Sequence, residues 1–357
     1  MKLTTAGESH GKALVAIIEG LPAHLRIDLE NIQQKLALRQ SGFGRGGRQK
    51  IEKDKAEILT GVRNGETLGS PVTLCIYNKD YANWENAMSP ESCDSEAMQK
   101  KALTKVRPGH ADLTGVIKYA QTDARNILER ASARETAIRV AAGTVFAQYL
   151  SALGVEIGGC VREICSIKDE KEYSFEQLVQ ANATQTGIID SEVEAQAVEK
   201  ITQLKKDGDT AGGVVEIRVK GLMSIQAVKG VEVGMGFDVA HVSGKDVHDE
   251  ISYTDGQGFY RTTNRAGGIE GGMSNGEELV LRIAMKPIPT LMKGLNTVDF
   301  ISKQPTTAAA ERSDVCAIFA LKIIAEAVVA TTLAEVVNER LGGDTMDEVI
   351  TRYNALK

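Results

Sequence analysis

The sequence predicts an α+β fold with a layered β-α-β arrangement, in which a helical core lies between antiparallel sheets. Strand patterns come first, helices follow, strands return, and an apolar helix comes late, an order unlike regular βαβ alternation. The later strands alternate apolar and polar residues, as half-buried antiparallel strands do. The stretch 315–333 is apolar nearly all round, which is typical of a helix buried between layers.

The first elements are two strands and a helix. Apolar runs at Leu14–Ile18 and Pro71–Tyr77 are bounded by glycine or proline and predict strands. Between them, apolar residues recur at helical spacing over Asp28–Arg39, with Asp28 as the N-cap and Gly42 just past the end.

The second helix is predicted to start at a capping box formed by Ser132 and Glu135. One apolar face then follows, made of Ile138, Ala142, Val145 and Tyr149. The charged segment 165–212 follows, in which Ser191–Glu194 opens a surface helix that ends near Gly208. We expect no functional site in that segment.

Two antiparallel strands and the buried helix complete the pattern. One strand has Val215, Ile217 and Val219 on its apolar side, and the other has Leu279, Leu281, Ile283 and Met285. The helix over Val315–Leu333 carries only Lys322 and Glu326 as charges and is expected to end at Gly342 and Gly343. Those two charges argue against a membrane span.

Composition is that of a globular protein, with 42% hydrophobic and 25% charged residues. A length of 357 residues allows one large domain or two. The net charge of −6 and the 4% aromatic content argue against a general nucleic-acid binder. Five cysteines without a C-x-x-C spacing indicate free thiols in a reducing compartment, and the start lacks a signal-peptide pattern, so we expect a cytoplasmic protein.

Two of the five histidines lie in short glycine-containing motifs: His10 in GESHG (7–11) and His110 in RPGHAD (107–112). Glycine lets backbone approach a ligand closely, and imidazole suits proton transfer near neutral pH. Both are candidate acid–base residues, although a single histidine is more often a packed or solvated one. GESHG also matches the nucleophile elbow of α/β-hydrolases, but it lacks the sheet strand before it and the helix after it that the elbow needs.

Basic residues are concentrated between residues 31 and 51, where no acid occurs. The stretch SGFGRGGR (41–48) interleaves Arg45 and Arg48 with glycine. A glycine loop carrying guanidinium groups suits a small anion such as phosphate or carboxylate. The alternatives are a solvated charged face or an RNA-binding module built on GRGGR, and the acidic net charge argues against the second.

A glycine-rich block, NRAGGIEGGMSNGEE (264–278), precedes a strand and then KPIPT (286–290). Its glycines are explained either by turns or, together with Lys286 and Thr290, by a cradle for a cofactor phosphate. The block is neither a Rossmann nor a P-loop motif.

Six stretches taken together resemble the chorismate synthases, and the resemblance covers almost the whole chain. They are GESHG, RPGHAD, ERASARETAIRVAAG (129–143), SIQAVKGVEVGMGF (224–237), NRAGGIEGG (264–272) and RSDVCAIFALKIIAEA (312–327). The resemblance implies one domain over residues 1–357, a β-α-β sandwich assembled as a homotetramer. It also implies the 1,4-anti elimination of phosphate from 5-enolpyruvylshikimate 3-phosphate, with reduced FMN as cofactor and no net redox change.

The resemblance further implies roles for individual residues. The catalytic residues would be His110 as donor to the leaving phosphate, His10 at the reduced flavin, and Asp314, which would work with flavin N5 in removing the ring proton. The substrate-binding residues would be Ser9, Arg39, Arg45, Arg48, Arg107 and Arg134. The flavin contacts would be Arg130, Ala131, Ser132, Gln226, Ala227, Gly276, Lys286, Pro287, Ile288, Pro289, Thr290 and Arg312.

The partners expected are the small-molecule substrate and other copies of the chain, without nucleic acid, membrane or metal. NADPH is expected only as a source of reduction for the flavin. Two arrangements stay open: an external flavin reductase, or NADPH-linked flavin reductase activity in the same pocket.

Overall fold

The strands form two larger antiparallel sheets and several two-stranded ones. The computed structural model describes residues 1–46, 53–105, 111–112, 115–116, 119–218, 227–236, 238, 247–270, 273–274, 276–309 and 313–355. The strands within these ranges are β1 Lys2–Gly7, β2 Ala13–Glu19, β3 Glu57–Thr60, β4 Val62–Arg63, β5 Glu66–Thr67, β6 Val72–Tyr77, β7 Gly158–Ile164, β8 Ile167–Lys168, β9 Gly213–Arg218, β10 Val228–Val233, β11 Ile251–Thr254, β12 Gly258–Arg261, β13 Ile269–Glu270, β14 Met273–Ser274, β15 Val280–Met285, β16 Asn296–Val298 and β17 Pro305–Thr307.

The helices connect and separate the sheets. They are α1 Leu29–Gln40, α2 Glu85–Met88, α3 Ser95–Lys101, α4 Arg125–Ala131, α5 Thr136–Ala152, α6 Phe175–Gln180, α7 Ser191–Asp207, α8 Ile318–Leu341 and α9 Met346–Ala355. Short 3₁₀ turns occur at Lys79–Asn83, Ala133–Glu135 and Ala181–Ala183. Within the described ranges, no helix combines the length and the apolar character needed to cross a bilayer.

The first sheet has the strand order β1-β2-β6-β3, with every neighbouring pair antiparallel. One of its faces packs into the core through Leu14, Ile18, Leu74 and Ile76, all fully buried. The predicted strands at 14–18 and 71–77 are confirmed as β2 and β6. Because β1 pairs with β2 alone, the start of the chain is the edge of this sheet.

The second sheet has the order β10-β15-β9-β7-β8 and is also antiparallel. Val215, Ile217, Leu281 and Ile283 face the core, as their alternation predicts. Val219 lies outside the described residues. Glu216, on the opposite side of β9, is buried as well, because Arg218 and the guanidinium groups of Arg162 and Arg282 surround its carboxylate.

Two long helices fill the space between the sheets. Helix α5 packs on β2 and β6, helix α8 packs on β7 and β9, and the two helices pack on each other. They approach closely at Gly143, where an added Cβ would lie 2.4 Å from the Cβ of Ala327. The predicted arrangement, a helical core between antiparallel sheets, is confirmed.

The helix ends agree with the predictions in part. Asp28 caps α1 by accepting a hydrogen bond from the Asn31 N–H at 3.1 Å, as predicted. Helix α7 ends at Gly208 as predicted, where a φ of 69° suits glycine. The same helix begins at Ser191 as predicted, and the Asp190 carboxylate caps it by accepting from two N–H groups of the first turn.

The capping box predicted at Ser132 forms only in part: Ser132 caps the chain, but the Glu135 side chain does not bond back to the N-cap backbone. Ser132 Oγ accepts from the Arg134 N–H at 3.3 Å and caps a 3₁₀ turn that leads into α5. The Glu135 side chain instead accepts hydrogen bonds from Thr5 and Arg139, a strand residue and a residue one turn along the helix. Glu135 makes these contacts in place of the capping bond, and a four-residue pattern does not contain the residues that make them.

Helix α8 begins three residues after the predicted start and ends before Gly342 as predicted. Its two charges are not solvated: Lys322 Nζ lies 2.6 Å from Glu326 Oε1, and both side chains are buried. Pairing one turn apart lets two charged residues sit inside an apolar helix. All five cysteines are free thiols, as predicted.

Candidate active site

The GESHG motif forms the loop of the hairpin between β1 and β2. The side-chain amide of Asn78 holds this loop by donating to the carbonyls of Glu8 at 3.1 Å and Gly11 at 2.7 Å. The buried Ser9 donates its N–H to the Glu129 carbonyl at 2.9 Å. Gly7 has a φ of +117°, and a Cβ there would lie 2.4 Å from the Ala13 carbonyl, so this position requires glycine.

His10 is held on two sides. Its Nδ1 lies 2.9 Å from Oε1 of Glu129, and its backbone N–H donates to Oε2 of the same carboxylate at 2.7 Å. Its ring stacks on Trp84 with 3.9 Å between the centroids and 28° between the planes. Among the described residues, none is hydrogen-bonded to Nε2, which is therefore the ring nitrogen left for a ligand.

Two buried arginines lie where helix α1 meets the start of α5. Arg134 donates from Nη1 to Asp54 at 2.6 Å and from Nε to Asn78 Oδ1 at 2.9 Å. Arg39 donates from Nη2 to Thr136 Oγ1 and to the Ala133 carbonyl, both at 2.7 Å. Asn78 thus connects the arginines to the histidine loop.

Arg45 and Asp314 form the third part of this cluster. Nη1 of Arg45 lies 2.7 Å from Oδ2 of Asp314, and the other carboxylate oxygen accepts from the Gly46 N–H. Arg45 Nε is buried and has no hydrogen-bond partner among the described residues. Burial, and next the Arg45 charge, lower the pKa of Arg39 to about 9. Charges concentrated in this way favour an anionic ligand.

The segment Arg130–Ser132 lies beside the hairpin. Arg130 donates to the carbonyls of Gly7 at 3.3 Å and Thr5 at 3.2 Å, while 45% of its side chain stays exposed. These contacts place the guanidinium group at the end of β1, next to the loop that carries His10.

The other predicted cofactor residues lie at the end of β15. The Lys286 N–H donates to the Ala227 carbonyl at 3.0 Å, and Thr210 Oγ1 donates to the Ile288 carbonyl at 2.8 Å. The neighbouring Ala211 N–H donates to the carbonyl of Val315, the residue after Asp314. This segment therefore borders the Asp314 side of the site. Gly276 lies in the exposed turn before β15, and a Cβ on it would meet nothing within 4 Å.

The structure brings together six of the predicted catalytic and substrate-binding residues, namely Ser9, His10, Arg39, Arg45, Arg134 and Asp314. Five predicted site residues lie outside the described residues, namely Arg48, Arg107, His110, Gln226 and Arg312.

Four residues of this site were missed from the sequence. Glu129 holds His10, Asn78 connects the loop to Arg134, Asp54 pairs with the buried arginines, and Trp84 covers the imidazole. Two features of the sequence could have identified two of them: Trp84 is the single tryptophan, and Glu129 is the first residue of ERASARETAIRVAAG. Nothing in the local sequence distinguishes Asp54 or Asn78.

A cavity of about 480 Å³ lies elsewhere, lined by residues around His24 and Glu66 at the β4–β5 hairpin. It contains none of the predicted site residues. The convergence of His10, the three arginines and Asp314 is the better guide to the chemistry, because reacting groups need charged and proton-transferring partners in fixed positions.

Several known proteins are similar to this chain over nearly its whole length. A family model described as chorismate synthase matches residues 1–223 and 219–337. The chorismate synthase of Alkaliphilus metalliredigens is 49% identical over 371 residues, covering 98% of this chain and 97% of that protein. The one from Geobacter sulfurreducens is 49% identical over 384 residues, covering 99% and 97%. A crystal structure of a chorismate synthase matches with a TM-score of 0.77 and 37% identity, covering 99% of this chain and 96% of that one.

Proposed function

This chain belongs to the chorismate synthase family, and from that premise we propose that it eliminates phosphate from 5-enolpyruvylshikimate 3-phosphate to give chorismate. Membership makes it a carbon–oxygen lyase of aromatic amino-acid biosynthesis. The resemblance found in the sequence motifs is thereby confirmed over nearly the whole chain.

The observation that carries the proposal is the cluster of three arginines with Asp54 and Asp314. The substrate has two carboxylates and a phosphate, and guanidinium groups bind both kinds of anion through paired N–H donors. Among the described residues, three guanidinium groups pair with two carboxylates here, which gives the cluster an excess of positive charge in an acidic protein. The buried Nε of Arg45 is a donor that a substrate oxygen would satisfy.

The proton-handling groups lie on either side of this cluster. Asp314 is proposed to take the ring proton of the substrate, and the Arg45 guanidinium keeps its carboxylate in position. The leaving phosphate needs a proton, and its second pKa of about 6 is close to that of an ordinary imidazole. His110 stays the predicted donor, and Arg48, Arg107, Gln226 and Arg312 stay predicted binding residues.

The residues present suit a flavin mononucleotide. The half-exposed Arg130 offers a cation beside the His10 loop. On the Asp314 side, the hydrogen-bonded pair Ala227 and Lys286 adds backbone groups and one cation. When bound, reduced FMN would supply the electron-rich ring system that this elimination needs, without net oxidation. Arg130, Ser132 and Lys286 are proposed to hold it, and NADPH is proposed only as a source of reduction.

Three further proposals concern the whole chain. One core cluster draws residues from Leu14 to Val349, which supports a single domain over residues 1–357. Five free thiols suit a reducing compartment such as the cytoplasm. The homotetramer implied by the family stays a prediction.

The proposed reaction is tested by anaerobic incubation of the protein with the enolpyruvyl substrate and reduced FMN. We expect phosphate and chorismate to appear together in equal amounts. Release no faster than in a protein-free control would reject the proposal.

A pair of variants tests the site within the same assay. Asp314→Asn should lower turnover by roughly 10²-fold or more, as loss of an acid–base group does. Asp207→Asn, at the exposed end of α7, removes the same charge away from the site and should leave turnover unchanged. Equal rates in both variants would remove Asp314 from the mechanism.

A further inference from the structure

The carboxylate of Glu129 makes two contacts with one residue. Oε2 accepts from the backbone N–H of His10 at 2.7 Å, and Oε1 lies 2.9 Å from the ring Nδ1. Glu129 is 1% exposed, so these contacts, together with Arg125 Nη1 at 3.6 Å, replace its hydration. A buried carboxylate that faces donors and a guanidinium group is the ionised, acceptor-only form.

An ionised carboxylate decides which ring nitrogen carries the proton. Oxygen atoms without hydrogen only accept, so Nδ1 must carry hydrogen to bond to Glu129. In the neutral imidazole the other nitrogen, Nε2, is then an unprotonated acceptor. The acidic partner thus fixes the tautomer of the ring.

The single tryptophan fixes the plane of the same ring. Trp84 stacks on the imidazole at 3.9 Å, and the indole is also contacted by Lys101 Nζ, 4.0 Å from its centroid, and by the Arg125 guanidinium at 5.3 Å. In the described part of the chain, the imidazole pairs with Glu129, and Arg125 and Lys101 lie against its partners Glu129 and Trp84. Tilting the ring out of its plane would break the stack, and turning Nδ1 away from Glu129 would break the hydrogen bond.

We propose that Glu129 is a positioning residue for His10, holding hydrogen on Nδ1 so that Nε2 is the nitrogen that exchanges protons with a bound ligand. The role rests on the proposed function, because it concerns the acid–base work of His10 in that reaction. The Glu129 carboxylate is buried and contacts His10 and Arg125. It acts through the imidazole, as the outer partner of many functional histidines does.

Replacing Glu129 by glutamine gives a sharp test, because an amide has one acceptor and one donor end. The backbone N–H of His10 donates only, so the amide oxygen turns towards it and the NH₂ group faces Nδ1. Nδ1 must then accept, which moves the hydrogen to Nε2. Glu129→Gln therefore keeps the shape of the site and inverts the tautomer.

The tautomer is read by ¹⁵N NMR of the full chain labelled at its five histidines, with the His10 signals identified by their loss in His10→Ala. We expect hydrogen on Nδ1 in the wild-type protein and on Nε2 in Glu129→Gln. The near-UV circular dichroism of Trp84 should be the same in both, which shows that the stack is intact.

Kinetics supply the second measurement. We expect Glu129→Gln to lower kcat by roughly 10²-fold, with KM changed much less, and Glu129→Asp to restore part of the loss. Glu199→Gln, in the exposed part of α7, is the matched control and should behave as wild type.

Hydrogen on Nε2 in the wild-type ring would overturn the inference, and so would an unchanged kcat in Glu129→Gln. A fall in kcat with the wild-type tautomer would also overturn it. If the wild-type protein releases no phosphate at all, the proposed function fails, while the NMR result still decides the tautomer.

Discussion

Glu135 is a buried carboxylate whose ionisation is decided by its neighbours. Burial alone would raise its pKa, but a hydrogen bond from Thr5 at 2.6 Å and contacts with Arg139 outweigh burial and lower the pKa below the ordinary 4.5. The unfolded chain lacks these partners and binds a proton more readily. Between the lowered pKa and 4.5 the unfolded state therefore holds more protons than the folded state.

The stability of the protein should consequently fall as the pH is lowered through 4.5, and Glu135→Gln should reduce this dependence. At neutral pH the same variant should be less stable, because Thr5 and Arg139 lose their charged acceptor. Urea unfolding at a series of pH values measures both effects, with Glu199→Gln as the control. An identical pH dependence in Glu135→Gln and wild type would contradict the assignment.

At the residue scale the motifs predicted much of the candidate site and missed its supports. Glycine loops and arginine clusters identify His10 and Arg45, since those patterns are local. Glu129 contacts His10 across 119 positions of sequence, and Arg134 contacts Asp54 across 80. No short pattern contains such pairs, because they are created only when the sheet and the helices pack.

At the element scale, the contact of α5 with α8 depends on the absence of a side chain. An alanine inside a helix normally stabilises it relative to glycine by roughly 0.5–1 kcal/mol. At Gly143 an added Cβ would lie 2.4 Å from the Cβ of Ala327 and 2.7 Å from its Cα and carbonyl oxygen. Backbone atoms cannot move aside as a flexible side chain does, so the clash outweighs the gain.

We expect Gly143→Ala to lower the free energy of unfolding by about 1–3 kcal/mol, the usual cost of overpacking a core. Gly230→Ala in β10 is the matched control, because its added Cβ would meet the Ala284 side chain at an ordinary 3.6 Å. Chemical denaturation of both variants measures the difference. Equal free energies of unfolding for Gly143→Ala and wild type would contradict the prediction, because the helices would then accommodate the added methyl group without loss of stability.

Long elements were predictable and their ends less so. Periodicity identified α1, α5, α8 and the paired strands, because a buried stripe or face repeats over many residues. The start of α8 was predicted three residues too early, at Val315, because the apolar pattern continues through residues that precede the first helical turn at Ile318. Short strands such as β4 and β5 span two residues each and carry no period.

At the scale of the whole molecule, both sheets pack on one pair of helices. A core shared in this way should unfold as a unit, because neither sheet keeps its buried face when α5 and α8 separate. The fluorescence of Trp84, which follows β6, reports on the region of the first sheet. Far-UV circular dichroism reports on all helices. We expect thermal unfolding by the two probes to coincide, and two separate midpoints would contradict the single domain.

The layer order was predictable from the order of patterns, since strands, helices, strands and a late apolar helix leave few ways to bury every face. Which strands are neighbours was not predictable. The order β10-β15-β9-β7-β8 joins segments distant in the sequence, and α8 packs on its strands β7 and β9.

The position of α8 after the strands of both larger sheets in the chain has a consequence for synthesis on the ribosome. Residues 318–341 fill the space between two sheets whose strands are made much earlier. Until those residues leave the exit tunnel, the inner face of the second sheet and the side of α5 that packs on α8 lack their cover and are exposed to water and to other nascent chains. Chaperones that shield apolar surface should therefore bind the growing chain until residues 318–341 have emerged.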